Sequence, residues 1–259
     1  MSPSLEGHTV RRYDGELNHL HLRVLELGGL VLHQTRNALA ALQDRDAHVA
    51  RSVIHREWEV NRLDVIIDDE IISVIARRAP VARDLRIVMA FAKTVNELER
   101  VGDEANKVAR LALLLFDGFR VDPGDTLMWD VQAMGRRVVE LLQQALDALD
   151  RLDLERAQAV AASRRELDAE FQAGLRRLTT YVMEDARNVG QVITLTQVIK
   201  ALERIGDYAR HVGEYVVYLV SGEDLRHQKC DPNGENVDPP PPGDSFFSGE
   251  EHGEIPGAD

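Results

Sequence analysis

Two stretches of the chain carry nearly the same run of residues. Glu97-Leu98-Glu99-Arg100-Val101-Gly102-Asp103-Glu104-Ala105 returns 104 residues later as Ala201-Leu202-Glu203-Arg204-Ile205-Gly206-Asp207-Tyr208-Ala209. In each, a Glu and an Asp stand four apart, so on a helix Glu99 and Asp103 share one face, as do Glu203 and Asp207. Like charges at that spacing repel by a few tenths of a kcal/mol. A glycine inside a helix costs up to ~1 kcal/mol relative to alanine. A sequence that carries both penalties twice gains something at these places. Two gains are open: close approach of another helix over Gly102 and Gly206, or a cation held between the carboxylates, since hard cations favour oxygen ligands. Polar residues of the preceding helix could complete such a site. These are Glu57, Asn61 and Asp64 in the first half and Asp168 in the second. Spacing alone does not name the metal, and a solvated charged face is the plainer alternative.

Other chemistry has little support. A di-iron bundle enzyme needs Glu-x-x-His on two core-facing helices. The chain offers Glu16-x-x-His19 without a counterpart. There is no HExxH, no G-x-S-x-G elbow and no glycine-rich loop ending in Lys. Gly28-Gly29 reads as a helix-interior pair suited to close packing or a bend.

The elements that must position the repeated carboxylates are helices. Prolines are absent from 4–79, 81–122 and 124–231, which permits long ones. Apolar residues recur at helical spacing, as in Leu17, Leu20, Val24, Leu27, Val31 and again in Val53, Val60, Ile67, Ile71, Val74. Six helices are expected, near 9–43, 46–78, 81–117, 125–149, 153–184 and 187–221, with Pro80 in the first turn of the third. An offset of 107 residues aligns the earlier helices of the two halves, pairing Asp46 with Asp153 and Val53 with Val160. The fold class is therefore all-α: two tandem homologous three-helix bundles at 1–118 and 122–227, followed by a disordered tail.

Composition sets the limits. The chain has 259 residues, of which 44% are hydrophobic and 29% charged. Lys and Arg total 31 against 44 Asp and Glu, a net charge of -13. That excess of negative charge argues against non-specific nucleic-acid binding, which needs basic surface. Residues 228–259 hold eight of the acids, one basic residue and six of the nine prolines. Such a segment cannot bury enough apolar surface to fold, and reads as a disordered acidic tail. The lone cysteine, Cys230, excludes an internal disulfide. With no secretory signal and no apolar run long enough to span a bilayer, a soluble cytoplasmic protein is expected.

The ordered motifs resemble those of the PhoU family over about residues 8–227. In the first half the resemblance rests on Leu27-Gly28-Gly29-Leu30-Val31, Val60-Asn61-Arg62-Leu63-Asp64, Pro80-Val81-Ala82-Arg83-Asp84-Leu85-Arg86 and the Leu98–Asp103 run. In the second it rests on Tyr181-Val182-Met183-Glu184-Asp185, the Leu202–Asp207 run and Glu214–Gly222. The resemblance implies paired three-helix bundles with E/D-x-x-x-D motifs that hold metal in some members. Iron, zinc, manganese or magnesium are the candidates. Carried over by position, Glu99, Asp103, Glu203 and Asp207 are the paired carboxylates, and Asn61 and Asp168 the polar position on the neighbouring helix.

The resemblance also implies a non-enzymatic negative regulator of phosphate uptake and phosphate-starvation signalling. Such a protein links the ATPase of a phosphate ABC importer to a phosphate-sensing histidine kinase. It is often a homodimer, and reaches the membrane only through its partners. A metal-free helical adaptor with another partner is the alternative function.

Some positions depart from the family pattern. The His and Asn that often come after the motif are replaced by Glu104 and Lys107 in one half, and by Tyr208 and His211 in the other. Lys107 could neutralise Asp103, and His211 could act as a ligand. Arg164 stands where Glu57 has its counterpart.

Overall fold

The computed structural model describes residues 11–118, 125–184, 187 and 189–225. The expected tail at 228–259, Cys230, and most of the linker between the halves lie outside these residues. The described residues form eight helical segments and no strand. They are α1 (Arg11–Asp44), α2 (Ala47–His55), α3 (Glu57–Arg78), α4 (Arg83–Gly118), α5 (Asp125–Arg151), α6 (Leu154–Ala162), α7 (Arg164–Glu184) and α8 (Val189–Ser221). None of these helices is long and apolar enough to cross a membrane.

Six rods result, because α2 runs into α3 and α6 into α7 with a single residue between them. The breaks fall at Arg56 and Ser163, equivalent positions of the two halves. The rods also begin alike. Asp46 accepts hydrogen bonds from the backbone N–H groups of His48 (2.8 Å) and Val49 (3.0 Å). Asp153 accepts one from Arg156 (3.1 Å). These short acids satisfy amides that a helix start leaves unpaired. Before each cap the chain turns through a left-handed residue, Arg45 at φ 54° and Leu152 at φ 51°. Side chains there cost roughly 1–2 kcal/mol, so the capped helix beyond each tight corner must hold it in place.

One boundary differs from expectation. Pro80 lies outside α4, which starts at Arg83. Ala79 and Ala82 both take positive φ (44° and 48°), and these left-handed residues end α3 and turn the chain into α4.

The periodic apolar residues form the core as the spacing predicts. Leu17, Val24, Leu27 and Val31 of α1 are fully buried, as are Val60 and Ile67 of α3. Each half packs its three rods together, and the halves then join as one compact unit ending at Asp224. The joints are α4 against α8, the most extensive contact in the molecule, and α1 against α5.

Across α1–α5 the joint repeats itself by two-fold pseudo-symmetry. A Cβ on Gly28 would strike the side chain of Leu146, and one on Gly135 would strike Leu39. Leu146 and Leu39 occupy equivalent positions of the two halves, as do the two glycines. Gly29 has open space beside it, so of the glycine pair only Gly28 is used for close packing.

This reciprocity gives an expected outcome. Gly28→Val and Gly135→Val should each destabilise the body by about 1–3 kcal/mol through overpacking at the same joint. Denaturant titration of the two variants checks it. A loss below about 0.5 kcal/mol in both, the range of ordinary surface changes, would show that the glycines are not packing sites.

Candidate functional site

α4 presents two faces. Leu98, Val101, Gly102 and Ala105 are buried, and Gly102 lies where a Cβ would come 3.1 Å from Val60 of α3. In α8 the equivalent Gly206 faces Leu167 of α7 at 3.4 Å, and Leu167 is the counterpart of Val60. Both motif glycines thus admit the neighbouring helix closely, one of the two gains the sequence suggested. The close approach carries the carboxylates of α3 toward those of α4.

On the outer side of that contact lie Glu57 and Asp64 of α3 with Glu99 and Asp103 of α4. Partial burial raises the Glu99 carboxyl above its usual range, and the charges of Asp103, Asp64 and Glu57 raise it further against the pull of Arg100. Asp103 is also raised, by burial and then by Glu57 and Glu104. Asp64 is raised by burial and by Asp68. Asn61 is exposed, one turn after Glu57 on the same helix. The face is therefore an oxygen-rich surface whose charges repel one another. Glu57 is the member with an ion pair on its outer side, to Arg110 at 3.6 Å.

The second face is built from the equivalent positions and has a different balance. Glu203 is raised by burial, then by Asp207 and Asp168, with Lys200 and Arg204 opposing. Asp168, exposed on α7, lies 3.8 Å from Arg164, the residue standing in place of Glu57. Asp207 lies 3.9 Å from Arg210. Cations of the chain itself therefore partly neutralise this face.

Among the described residues, no three His, Cys, Asp or Glu side chains converge closely enough to hold a metal as they stand. The donors of the α3–α4 face do suit a hard divalent cation, being all oxygen and mutually repelling. The α7–α8 face suits one less well, because Arg164 and Arg210 already engage its acids.

The two residues expected to modify these faces point elsewhere. Lys107 pairs with Glu104 at 3.4 Å and leaves Asp103 uncapped. His211 turns its Nδ1 toward Glu97 at 3.3 Å. Both belong to the seam where α4 and α8 cross antiparallel. There Arg204 donates to Glu104 (2.8 Å), Tyr215 donates to Glu97 (3.3 Å), and Arg100 lies over the ring of Tyr208 at 5.8 Å. Arg210 and Glu214 form a buried pair along α8. The two motif arginines thus reach across to equivalent positions of the opposite helix.

Sequence reasoning missed this seam. Its signal was a pair of acids, Glu97 and Glu104, seven apart and in phase with buried Ala90 and Leu111.

Known proteins share this architecture. The PhoU domain matches residues 24–112 and 131–216, one copy in each half. The phosphate-specific transport system accessory protein PhoU homolog of Pseudomonas aeruginosa is 39% identical over 224 residues, covering 86% of this chain and 91% of that protein. The accessory protein PhoU of Escherichia coli is 35% identical over 226 residues, covering 87% and 92%. The crystal structure of PhoU from Pseudomonas aeruginosa superposes with a TM-score of 0.77 over 82% of this chain and all of that one. That of the phosphate transport system regulatory protein PhoU from Streptococcus pneumoniae gives 0.74 at 26% identity, over 82% of this chain and 99% of that one. With both halves matched and the relatives covered nearly end to end, the chain belongs to the PhoU family.

Proposed function

We propose that this chain is a non-enzymatic regulator of phosphate transport, acting in the cytoplasm. It links the ATPase of a phosphate ABC importer to a phosphate-sensing histidine kinase and keeps starvation signalling off when phosphate is plentiful. The observation that carries this reading is the identity of 35% and 39% to proteins named as phosphate-transport accessory proteins, spanning 92% and 91% of their length. An accessory role also suits a body built on helix packing whose motif carboxylates lie half-buried or exposed at its surface. A helical face would hold the kinase in its inactive state. Such a switch needs different affinity for the partner's two states, since equal affinity shifts nothing.

Recovery of the kinase with the full chain should differ between phosphate-rich and phosphate-starved cells, and deleting the gene should raise a phosphate-starvation reporter in rich medium. Unchanged reporter expression would sink the assignment.

We further propose that the α3–α4 face holds a divalent cation through Glu99, Asp103, Glu57 and Asp64, with Asn61 beside them. The α7–α8 face, with Glu203, Asp207 and Asp168, holds one more weakly. A bound cation offsets the burial, and after it the mutual repulsion, that raise Glu99 and Asp103. Titration of Mn²⁺ followed by calorimetry should show the tighter site lost in Asp103→Ala and kept in Asp207→Ala. Equal loss in both, or no binding by the parent, would count against the division.

The pH dependence has a definite sign. Groups raised in the folded state bind protons more readily there than in the unfolded chain. Their contribution is therefore stabilising below the ordinary carboxylate range, about pH 4, and is lost as pH rises through the raised values. Cation affinity should consequently fall as pH is lowered into that range. At neutral pH, cation at about 100 times its Kd should stabilise the fold by roughly 2.7 kcal/mol. Thermal unfolding with and without Mn²⁺ at two pH values checks both statements.

A further inference from the structure

The outer side of the α4–α8 crossing repeats itself by the pseudo-two-fold that relates the halves. Arg204 donates to Glu104, and Arg100 lies over the ring of Tyr208. These are one contact made twice, since Arg204 is the counterpart of Arg100 and Tyr208 of Glu104. The pseudo-axis therefore passes between them.

An apolar patch lies at each end of this outer face. At one end Leu85 and Met89 of α4 stand a turn apart, four and eight residues before Lys93, whose Nζ lies 5.9 Å from the rings of Tyr215 and Tyr218 of α8. At the other end stand their counterparts in α8, Val189 and Ile193. The register that sets Arg204 beside Glu104 and Gly222 beside Arg86 brings Leu114, the counterpart of Tyr218, about level with Ile193. Leu85, Met89, Leu114, Val189 and Ile193 are between 39% and 60% exposed. Met89 and Leu114 are 25 residues apart on α4, so the patches are separated by about 38 Å.

Elsewhere the halves do not share their exposed apolar residues. Trp58, Val65 and Ile72 of α3 have Arg165, Gln172 and Thr179 as counterparts in α7, all exposed. The outer face of the seam keeps apolar side chains in water at both members of each equivalent pair. Exposed apolar patches of this kind mark contact with another molecule.

Charge selects the partner. The chain as a whole is negative, at -13. Between the patches, however, the face carries Lys93, Arg100, Lys107, Lys200 and Arg204, while its acids Glu97 and Glu104 are nearly buried. A second copy laid face to face would set these cations against one another. An anionic membrane would meet Glu99, Asp103, Glu203 and Asp207, which edge the face on both sides. A protein can place acids over the middle and apolar side chains over the ends. Two identical subunits do so with a single kind of interface made twice.

We propose that the outer face of α4 and α8 seats a two-fold kinase dimer on its pseudo-axis, one half of the chain to each kinase subunit. Acidic residues of the kinase lie over Arg100 and Arg204, and apolar ones over the two patches. This rests on the reading of the chain as a regulator of a phosphate-sensing histidine kinase, a class that works as dimers. A rigid bridge across two subunits fixes their relative position, and in this way holds the inactive state.

Binding of the full chain to the full-length kinase in nanodiscs, with the ratio of the two proteins in the complex, tests this. The parent should bind at one chain to two kinase subunits. Met89→Glu and Ile193→Glu should each weaken binding at least about tenfold and by similar factors, because identical subunits meet equivalent residues. The double variant should lose on the order of a hundredfold or more, since neither end then supports the other. Lys200→Glu should weaken binding more at low salt than at high salt. Gln172→Glu on α7 should bind as the parent does. These positions are all exposed, and circular dichroism of each variant should match the parent. Parent-like binding by the double variant would overturn the face and leave the functional reading standing, whereas a parent that binds no kinase overturns both. An effect at one end only, or one chain per kinase subunit, would overturn the axial seating. Binding to phosphatidylglycerol vesicles, self-association, or capture of the importer ATPase in place of the kinase, each lost in the double variant, would overturn the kinase as occupant.

Discussion

α4 and α8 cross antiparallel, and the rest of the molecule is organised by that crossing. Each is the last helix of its half and each packs against the other rods of that half. Their mutual contact, with that of α1 against α5, makes two bundles one body. The seam is unusual in mixing apolar residues with Glu97, Glu104, Arg210 and Glu214, all nearly buried. Buried charges are tolerated only when paired, and leaving one partner alone is costly. Arg204, Tyr215 and His211 supply the partners from the opposite helix for Glu97 and Glu104. Apolar packing alone would accept several registers. Charges that must meet at fixed positions exclude a slip along the axis.

With the seam fixed by one side of each motif, the other side is free for different use. Gly102 and Gly206 bring α3 and α7 close, and this places acids of neighbouring helices on common surfaces. Closely similar backbone geometry then receives unlike side chains. The first face concentrates carboxylates with little compensation, whereas Arg164 and Arg210 moderate the second. α3 and α7 diverge in the same manner on their outer sides. Core positions are held in common between the halves, and exposed positions away from the seam are where each half becomes distinct.

Much of this was legible in the residues. The heptad-like burial of α1 and α3 follows from apolar spacing, and the duplication from the repeated motif and the two capping acids, Asp46 and Asp153. Both caps do what short acids at helix starts do. The breaks at Arg56 and Ser163 were not legible, because neither residue is a proline or glycine and the apolar period runs through them. The start of α4 was misplaced because proline suits a helix's first turn, while the actual turn is made by Ala79 and Ala82 in a conformation alanine rarely takes. At the site, helical spacing alone sufficed to put Glu99 with Asp103 and Glu203 with Asp207. What Lys107 and His211 contact was hidden, since that depends on which helix packs across α4, and a single helix's periodicity carries no record of its distant partner.

The seam has a consequence for how the chain is made. Glu97 and Glu104 meet their cross-seam partners only through residues about a hundred positions later in the sequence. During synthesis, α4 is complete long before α8 exists. Over that interval its future contact surface is exposed, and it carries two carboxylates among the apolar side chains. A nascent first half therefore shows water a charged stripe rather than a continuous greasy one. The acids that later meet partners across the seam thus make the waiting surface of α4 less continuously apolar.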